Sequence, residues 1–510
     1  MKKLIALLGC SLVAALAHAQ PTPPATPQYR PAYHFTPAAH WMNDPNGMVF
    51  YQGTYHLFFQ YYPAGMVWGP MHWGHATSPD MLRWQEQPIA LYPDNLGYIF
   101  SGSAVVDKEN TAGFGKGALV AIFTHHDPKG ERAGRATYQN QSLAYSRDAG
   151  KTWQKYAGNP VLKNPGIKDF RDPKVTWNNL AKKWVMTLAT LDRITFYSSP
   201  NLKDWTKESE FGQQLGAHGG VWECPDLFPL LLNGKPYWVL LVNLNPGGPN
   251  GGSATQYFVG QFDGHTFTPL NSETKWADYG PDEYAGVTWE NTGNRRLFLG
   301  WMSNWEYANQ VPTSPWRSAM TIPRELGLRQ EGSEIYLTSQ PAAELRTLAA
   351  KTTTSQNVAV KNTIDLTARL KSTTDKHQLT LKTAQLGSFE LVLGNAAGEE
   401  LVIGYDQVAR QYFIDRSKAG QVGFSPKFTG RATAPRLSAA AGTEVALYFD
   451  AASVELFADQ GLTAMTEIFF AAKPLKTIKL RSVQGITFQE ISNTPLAPKI
   501  VGKPMVVGQR

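Results

Sequence analysis

A chain of 510 residues is too long for one compact core and predicts two domains. Its 42% hydrophobic and 17% charged residues exclude a disordered chain, and the 12% aromatic share suits a protein that handles flat-faced ligands such as sugars. The formal charge of +7 comes with no basic run interleaved with aromatics, which argues against nucleic acid as a partner and reads as solvated surface.

The chain opens with Met1-Lys2-Lys3, continues through a largely apolar stretch from Leu4 to Leu16, and reaches Ala17-His18-Ala19 before Gln20. A positive start, a short apolar run and an A-x-A site predict a secretory signal peptide over 1–19, and so a periplasmic or extracellular destination. The run is too short to span a bilayer, and no other stretch reads as transmembrane. Leu8-Gly9-Cys10 has a faint lipoprotein look, but cleavage before Cys10 would leave almost no apolar region. Residues 20–32, rich in Pro and Thr, read as a disordered lead-in. With Cys10 lost alongside the signal, Cys224 stands alone, so the exported chain has no internal disulfide and must rely on its cores.

One pattern recurs through the first 270 residues. Ala76-Thr77-Ser78-Pro79-Asp80 is followed by Trp84, Ala144-Tyr145-Ser146-Arg147-Asp148 by Trp153, and Phe196-Tyr197-Ser198-Ser199-Pro200-Asn201 by Trp205. A looser copy is Gly260-Gln261-Phe262-Asp263-Gly264 with Phe267. Each copy is a β-type run, a turn with Asp or Asn, and an aromatic residue opening the next run, which is a hairpin. The aromatic positions lie 69, 52 and 62 residues apart, a spacing that fits four-stranded propeller blades. With little helical periodicity between 34 and 330, four copies and room for one less regular blade predict a five-bladed β-propeller.

All fifteen tryptophans lie at or before Trp316 and none in the remaining 194 residues. Beyond that point come alternating runs such as His377-Gln378-Leu379-Thr380-Leu381-Lys382 and Val445-Ala446-Leu447-Tyr448-Phe449, separated by Gly, Asn, Asp and Pro. Period-two runs of this kind predict antiparallel strands, most simply a β-sandwich. The all-β chain is thus divided into a propeller over 33–338, a linker over 339–355 and a sandwich over 356–510.

Three acidic segments are candidates for chemistry. Trp41-Met42-Asn43-Asp44-Pro45-Asn46-Gly47 sets a carboxylate among Asn side chains in a turn; by itself it could be an ordinary Asx turn. Asp169-Phe170-Arg171-Asp172-Pro173 sets a carboxylate beside a guanidinium, and Trp222-Glu223-Cys224-Pro225-Asp226 a Glu between an aromatic and a Pro. Each alone also fits a salt bridge or a turn. Their chemistry is complementary: Arg171 would keep Asp172 ionised, whereas Glu223, walled by Trp222, Leu227 and Phe228, would hold its proton near neutrality. Glycoside cleavage needs that division between an ionised and a protonated carboxyl group.

The string WMNDPNG, together with Phe100-Ser101-Gly102-Ser103, Arg171-Asp172-Pro173 and Glu223-Cys224-Pro225, resembles glycoside hydrolase family 32, which includes invertases, inulinases, levanases and fructan exohydrolases. The four motifs stand in the family's order and the resemblance spans nearly the whole mature chain. It implies a five-bladed propeller followed by a β-sandwich, with Asp44 as nucleophile, Glu223 as general acid/base and Asp172 as the residue that binds fructose hydroxyls. It implies retention through a covalent fructosyl-enzyme, with no cofactor. Asn43, Gln60, Trp68, Ser101 and Arg171 resemble the family's fructose contacts, and Trp41 and Phe100, within the matched motifs, are further candidate substrate contacts. Trp301 and Trp305 are two further aromatics, one of them a candidate pocket wall and either open to core packing.

His72-Trp73-Gly74-His75 and His125-His126 lack the accompanying ligands and spacing of a metal site, and Cys224 lacks a paired base. The runs Asp278-Tyr279-Gly280, Tyr284 to Trp289 and Trp305 to Arg317 resemble exo-acting levanases and inulinases more than plant invertases. The expected substrate is therefore the non-reducing end of levan or inulin, with sucrose secondary. A fructosyltransferase with the same three acids, an inverting family 43 hydrolase and a non-catalytic fructan-binding surface protein are the rival readings. The motif strings argue against the second and the intact acids against the third.

Overall fold

The computed structural model describes residues 27–428 and 430–497. The predicted signal segment 1–19 and residues 20–26 of the lead-in lie outside them. Five antiparallel sheets, each of four principal strands, form the blades of a propeller. Their innermost strands are His40–Tyr51, Tyr98–Asp107, Phe170–Asn178, Val221–Leu232 and Tyr284–Thr288. Each packs on the next, and the fifth returns to the first. The middle strands are covered on both faces by neighbouring blades: every residue of Ala118–His126 is buried. Such strands read as continuous apolar runs rather than as alternation.

The four sequence repeats all fall at the turn between the third and fourth strands of blades one to four. In each, the Asp or Asn side chain accepts backbone N–H groups: Asp80 from Leu82 and Arg83, Asp148 from Thr152, Asn201 from Lys203 and Asp204, and Asp263 from His265 and Thr266. The residue after it has left-handed backbone, with φ of 63° at Met81, 58° at Ala149, 64° at Leu202 and 101° at Gly264. The fifth blade turns at Gly332 instead, without the motif. Two contacts close the ring: Trp316–Arg317 pairs in parallel with His40–Trp41, and Glu290 bridges Val49.

The second domain is a β-sandwich built around two long strands, Thr353–Asp365 and Thr477–Pro495, which pair with each other through a bulge. The second of these pairs with Phe389–Gly394 along its first half and with His377–Thr383 along its second, so it belongs to both layers. The strand Glu334–Pro341 stays paired with Arg324–Glu331 to its last residue. The predicted linker at 339–355 therefore shortens to 342–352, which is mostly the 3-10 turn Ala343–Leu348. The composition shift near 340 does not coincide with the strand ends.

The expected disorder over 20–32 is corrected for its described part, 27–32. Tyr29 is buried, with its hydroxyl near Phe470 O and Gln421, and the N–H of Ala32 donates to Asp450. One buried aromatic and a backbone donor supply the anchoring that Pro-rich composition alone does not register.

Buried charge joins the domains. Arg324, with no exposed surface, donates to Asp278 at 2.8 Å in the propeller and to Glu455 at 2.5 Å in the sandwich. His34 lies between Asp450 at 2.8 Å and Glu455 at 3.0 Å. Burial alone would depress this imidazole, but its two carboxylate partners outweigh that and raise it to about 9. Arg416 of the sandwich reaches Asp282 and Tyr307 of the propeller.

Breaking such a pair costs more than the pair contributes, because the partners stay buried and uncompensated. Arg324→Met is expected to destabilise the protein by about 3–5 kcal/mol in denaturant unfolding. At the turns, a left-handed L-residue costs about 1 kcal/mol relative to glycine. Met81 and Leu202 are fully buried and contribute packing there, whereas Ala149 does so little. Ala149→Gly is expected to raise unfolding free energy by about 0.5–1 kcal/mol in the same measurement.

Candidate active site

Each inner strand is bulged near its start, where it approaches the propeller axis. Pairing shifts between Met42 and Pro45, Ile99 and Gly102, Glu223 and Asp226, and Tyr284 and Val287, and in the third blade where Arg171 and Lys174 face Ala189 and Thr187. A bulge re-aims side chains that regular pleating would send into the blade interfaces. Left-handed backbone accompanies the shifts at Asp172 (φ 65°), Cys224 (φ 40°) and Ala285 (φ 53°). The outcome is one residue from each blade at a common point: Asp44, Ser101, Asp172, Glu223 and Tyr284.

Asp44 accepts from Ser101 Oγ at 2.6 Å and from Asn43 Nδ2 at 2.9 Å. Burial pushes its carboxyl above the ordinary range and the charge of Glu223 adds to this, while the two hydrogen bonds pull it back. Asp172 accepts the N–H of Cys224 at 3.0 Å. The Cys224 Sγ lies 3.6 Å from both Asp44 and Asp172, and burial followed by these charges raises the thiol well above its usual range, so it acts as a packed neutral group. Glu223 accepts Arg171 Nε at 3.1 Å and Nη2 at 2.9 Å on one oxygen and the Tyr284 hydroxyl on the other.

Two electrostatic expectations change. Arg171 is directed to Glu223 and, at 2.6 Å, to Asp169; it is 4.0 Å from Asp172. Burial, aided by Glu223 and Asp44 and opposed by Arg171, raises Asp172 to about 7, so the guanidinium does not hold it at an ordinary carboxylate value. Nor do Trp222, Leu227 and Phe228 wall Glu223. All three are buried between blades, with Trp222 Nε1 donating to Ala217 O, because the bulge turns Glu223 away from them.

These groups close the floor of a pocket of about 220 Å³. Of the residues the sequence singled out, Asn43, Asp44, Gln60, Trp68, Phe100, Ser101, Arg171, Asp172, Glu223 and Trp305 line it. Gln60 is buried rather than facing solvent, its amide donating to Asn46 at 2.8 Å. Trp41 and Trp301 do not line it, which corrects Trp41 as a substrate contact and leaves Trp305 as the wall of its pair. Both are completely buried: Trp41 Nε1 donates to Asn43 Oδ1 at 2.7 Å, Trp301 Nε1 to Met42 O, and both rings pack behind Trp305 at 5.8 and 5.0 Å. Their indoles orient what reaches the pocket.

Sequence reasoning missed Tyr284, His126, Tyr138, Gln139, Glu131 and Asp169. His126 belongs to a pair weighed only as metal ligands. Its ring stacks on Phe100 at 4.2 Å and contacts Glu131 at 3.1 Å. Tyr284 opens a run weighed only for substrate preference.

A propeller with carboxyl groups gathered at one mouth, in a pocket lined by hydroxyl-binding amides and aromatic rings, defines a glycoside hydrolase. The chain belongs to glycosyl hydrolases family 32: the family's N-terminal domain model matches residues 34–341 and its C-terminal model residues 344–495. It is 48% identical to a levanase of Bacillus subtilis (strain 168) over 90% of this chain and 68% of that protein. An extracellular exo-inulinase of Aspergillus ficuum is 40% identical over 96% and 97% of the two chains. The crystal structure of exo-inulinase from Aspergillus awamori superposes with a TM-score of 0.84 at 37% identity, covering 93% of this chain and 99% of that one. A β-fructofuranosidase from Schwanniomyces occidentalis complexed with fructosyl-erythritol gives 0.83 at 32% identity, covering 92% and 98%.

An unfolded aspartate ionises near 3.8, so between that pH and about 7 the folded protein must retain the Asp172 proton, and above about 7 it must bury an ionised group. The cost of Asp172 to stability therefore grows as pH rises from about 4 to 7. Asp172→Asn, which keeps an acceptor for the Cys224 N–H, is expected to raise the melting temperature by about 2–4 °C at pH 8 and by less at pH 5, read by calorimetry.

Proposed function

We propose that the chain is a retaining β-fructosidase that releases fructose from the non-reducing ends of levan or inulin, with sucrose as a secondary substrate. The observation that carries this reading is a small pocket whose floor holds three carboxyl groups in three different hydrogen-bonding environments. Asp44, with an oxygen bonded to Ser101 and the other to Asn43, is the nucleophile at the anomeric carbon. Glu223 gives its proton to the leaving oxygen, and Arg171 and Tyr284 then stabilise the carboxylate that remains, before the same group takes a proton from the incoming water. Asp172 and Arg171 bind fructose hydroxyls.

A pocket of about 220 Å³ with these acids at its floor favours exo-cleavage, since its size suits a terminal unit rather than a length of chain. The names of the levanase and exo-inulinase relatives support fructan as the substrate. The N-terminal pattern and the extracellular location named for the inulinases support export. Among the described residues no helix is long and apolar enough to cross a membrane.

The test is incubation of the purified mature protein with inulin, levan and sucrose, with products followed by chromatography and the first-formed fructose anomer by NMR. Fructose alone from the first time point, in the retained configuration, is expected. Asp44→Asn and Glu223→Gln are each expected to lower kcat about a thousandfold or more. Early short oligosaccharides would replace exo- with endo-cleavage, and products longer than the substrate would make transfer the main reaction. No product from any of the three would leave a binding protein.

A further inference from the structure

The inner strands present their catalytic ends at one face of the propeller. The connections that emerge on that face are those joining second to third strands and those joining one blade to the next. In blade one these are residues 63–71 and 92–97. Between them they carry four exposed large apolar side chains: Val67 (50% exposed), Trp68 (40%), Tyr92 (55%) and Leu96 (36%). Single exposed apolar residues are ordinary on a protein surface, but four on adjoining loops at the mouth of a pocket form a patch.

The patch is continuous with the pocket. Trp68 lines the pocket and meets Phe100 edge-on at 6.1 Å. His72, tied to Pro70 O at 3.0 Å, sets its ring edge-on to Tyr92 at 5.5 Å, so Tyr92 stands beside the loop that carries Trp68. Tyr92 is exposed yet held. Lys155 Nζ binds both Tyr92 O and Asp94 at 2.5 Å, Asp94 and Gly97 exchange backbone hydrogen bonds, and Asp94 also reaches His125 at 3.3 Å. An exposed ring on a braced loop binds a flat apolar ligand face with little loss of freedom.

We propose that Trp68, His72 and Tyr92 form an aromatic shelf that receives the fructosyl units following the one in the pocket. Sugar rings have apolar C–H faces that stack on aromatic rings, and a polymer with its end in the pocket must leave across some part of the rim. This rests on the fructan reading above and adds a chain-length preference that the pocket alone does not supply. Sucrose, with one unit beyond the scissile bond, ends before Tyr92.

The test compares wild type, Tyr92→Ala and Tyr92→Phe on sucrose and on long-chain inulin and levan, with Leu180→Ala, at an exposed turn between strands of blade three, as a surface control. Tyr92→Ala is expected to raise KM for at least one polymer about fivefold at unchanged kcat, and to leave kcat/KM on sucrose within about twofold. Tyr92→Phe, which keeps the ring, is expected to match wild type. Equal losses on sucrose and polymer, or no loss on either polymer while the wild type cleaves both, would overturn the shelf and leave the fructan reading intact. A wild type that cleaves sucrose and neither polymer would remove both.

Discussion

Carboxyl groups brought together out of water repel one another, and much of the propeller serves to hold three of them in one small space. One guanidinium, that of Arg171, serves the group: it binds Glu223 and Asp169 and stands 4.0 Å from Asp172. The remaining compensation comes from neutral donors: Ser101, Asn43, the Cys224 N–H and Tyr284. Each must be placed to within a few tenths of an ångström, because a hydrogen bond weakens steeply away from its preferred geometry. Placing them from five strands explains the bulge near the start of each inner strand and the left-handed backbone at Asp172, Cys224 and Ala285. Strain at these points is the local cost of the convergence.

The sandwich contributes to the same end from a distance. Trp305, an aromatic wall of the pocket, donates its backbone N–H to Ser253 Oγ. The adjoining glycine-rich loop is fixed by Asn250, which donates to Tyr279 O in the propeller and to Thr433 O in the sandwich. Glu306, next to Trp305, pairs with Lys427 of the sandwich at 3.3 Å. The second domain therefore braces one side of the pocket without lining it, while the Arg324 and Arg416 networks hold the two bodies together.

What could be read from the sequence was what repeats or what sits in a short string. The third-to-fourth-strand turns repeat because each needs the same Asx geometry and an aromatic residue beyond it, so four blades were visible and the fifth, which turns on Gly332, was not. Asp44, Asp172 and Glu223 stand in compact motifs. Tyr284 does not, and its role exists only because the fifth blade brings it to Glu223. Trp41 shows the opposite failure: an aromatic residue within a motif reads as a ligand contact, when its indole N–H serves Asn43, and only the structure separates Trp305 at the pocket from Trp301 behind it. The direction of Arg171 was likewise hidden, since adjacency in sequence placed it beside Asp172 and the bulge turned it to Glu223.

The closure of the ring has a consequence for the order in which the protein becomes competent. Asp44 lies among the first residues of the propeller to be synthesised, yet the outer edge of its strand is covered only when Trp316–Arg317 arrives alongside His40–Trp41. The two edges of that seam are 276 positions apart in the chain. Until the fifth blade joins the ring, the strand of the nucleophile has an open edge and Tyr284 is not beside Glu223. No partial set of blades holds the complete site, so the protein becomes competent only when the fifth blade closes the ring.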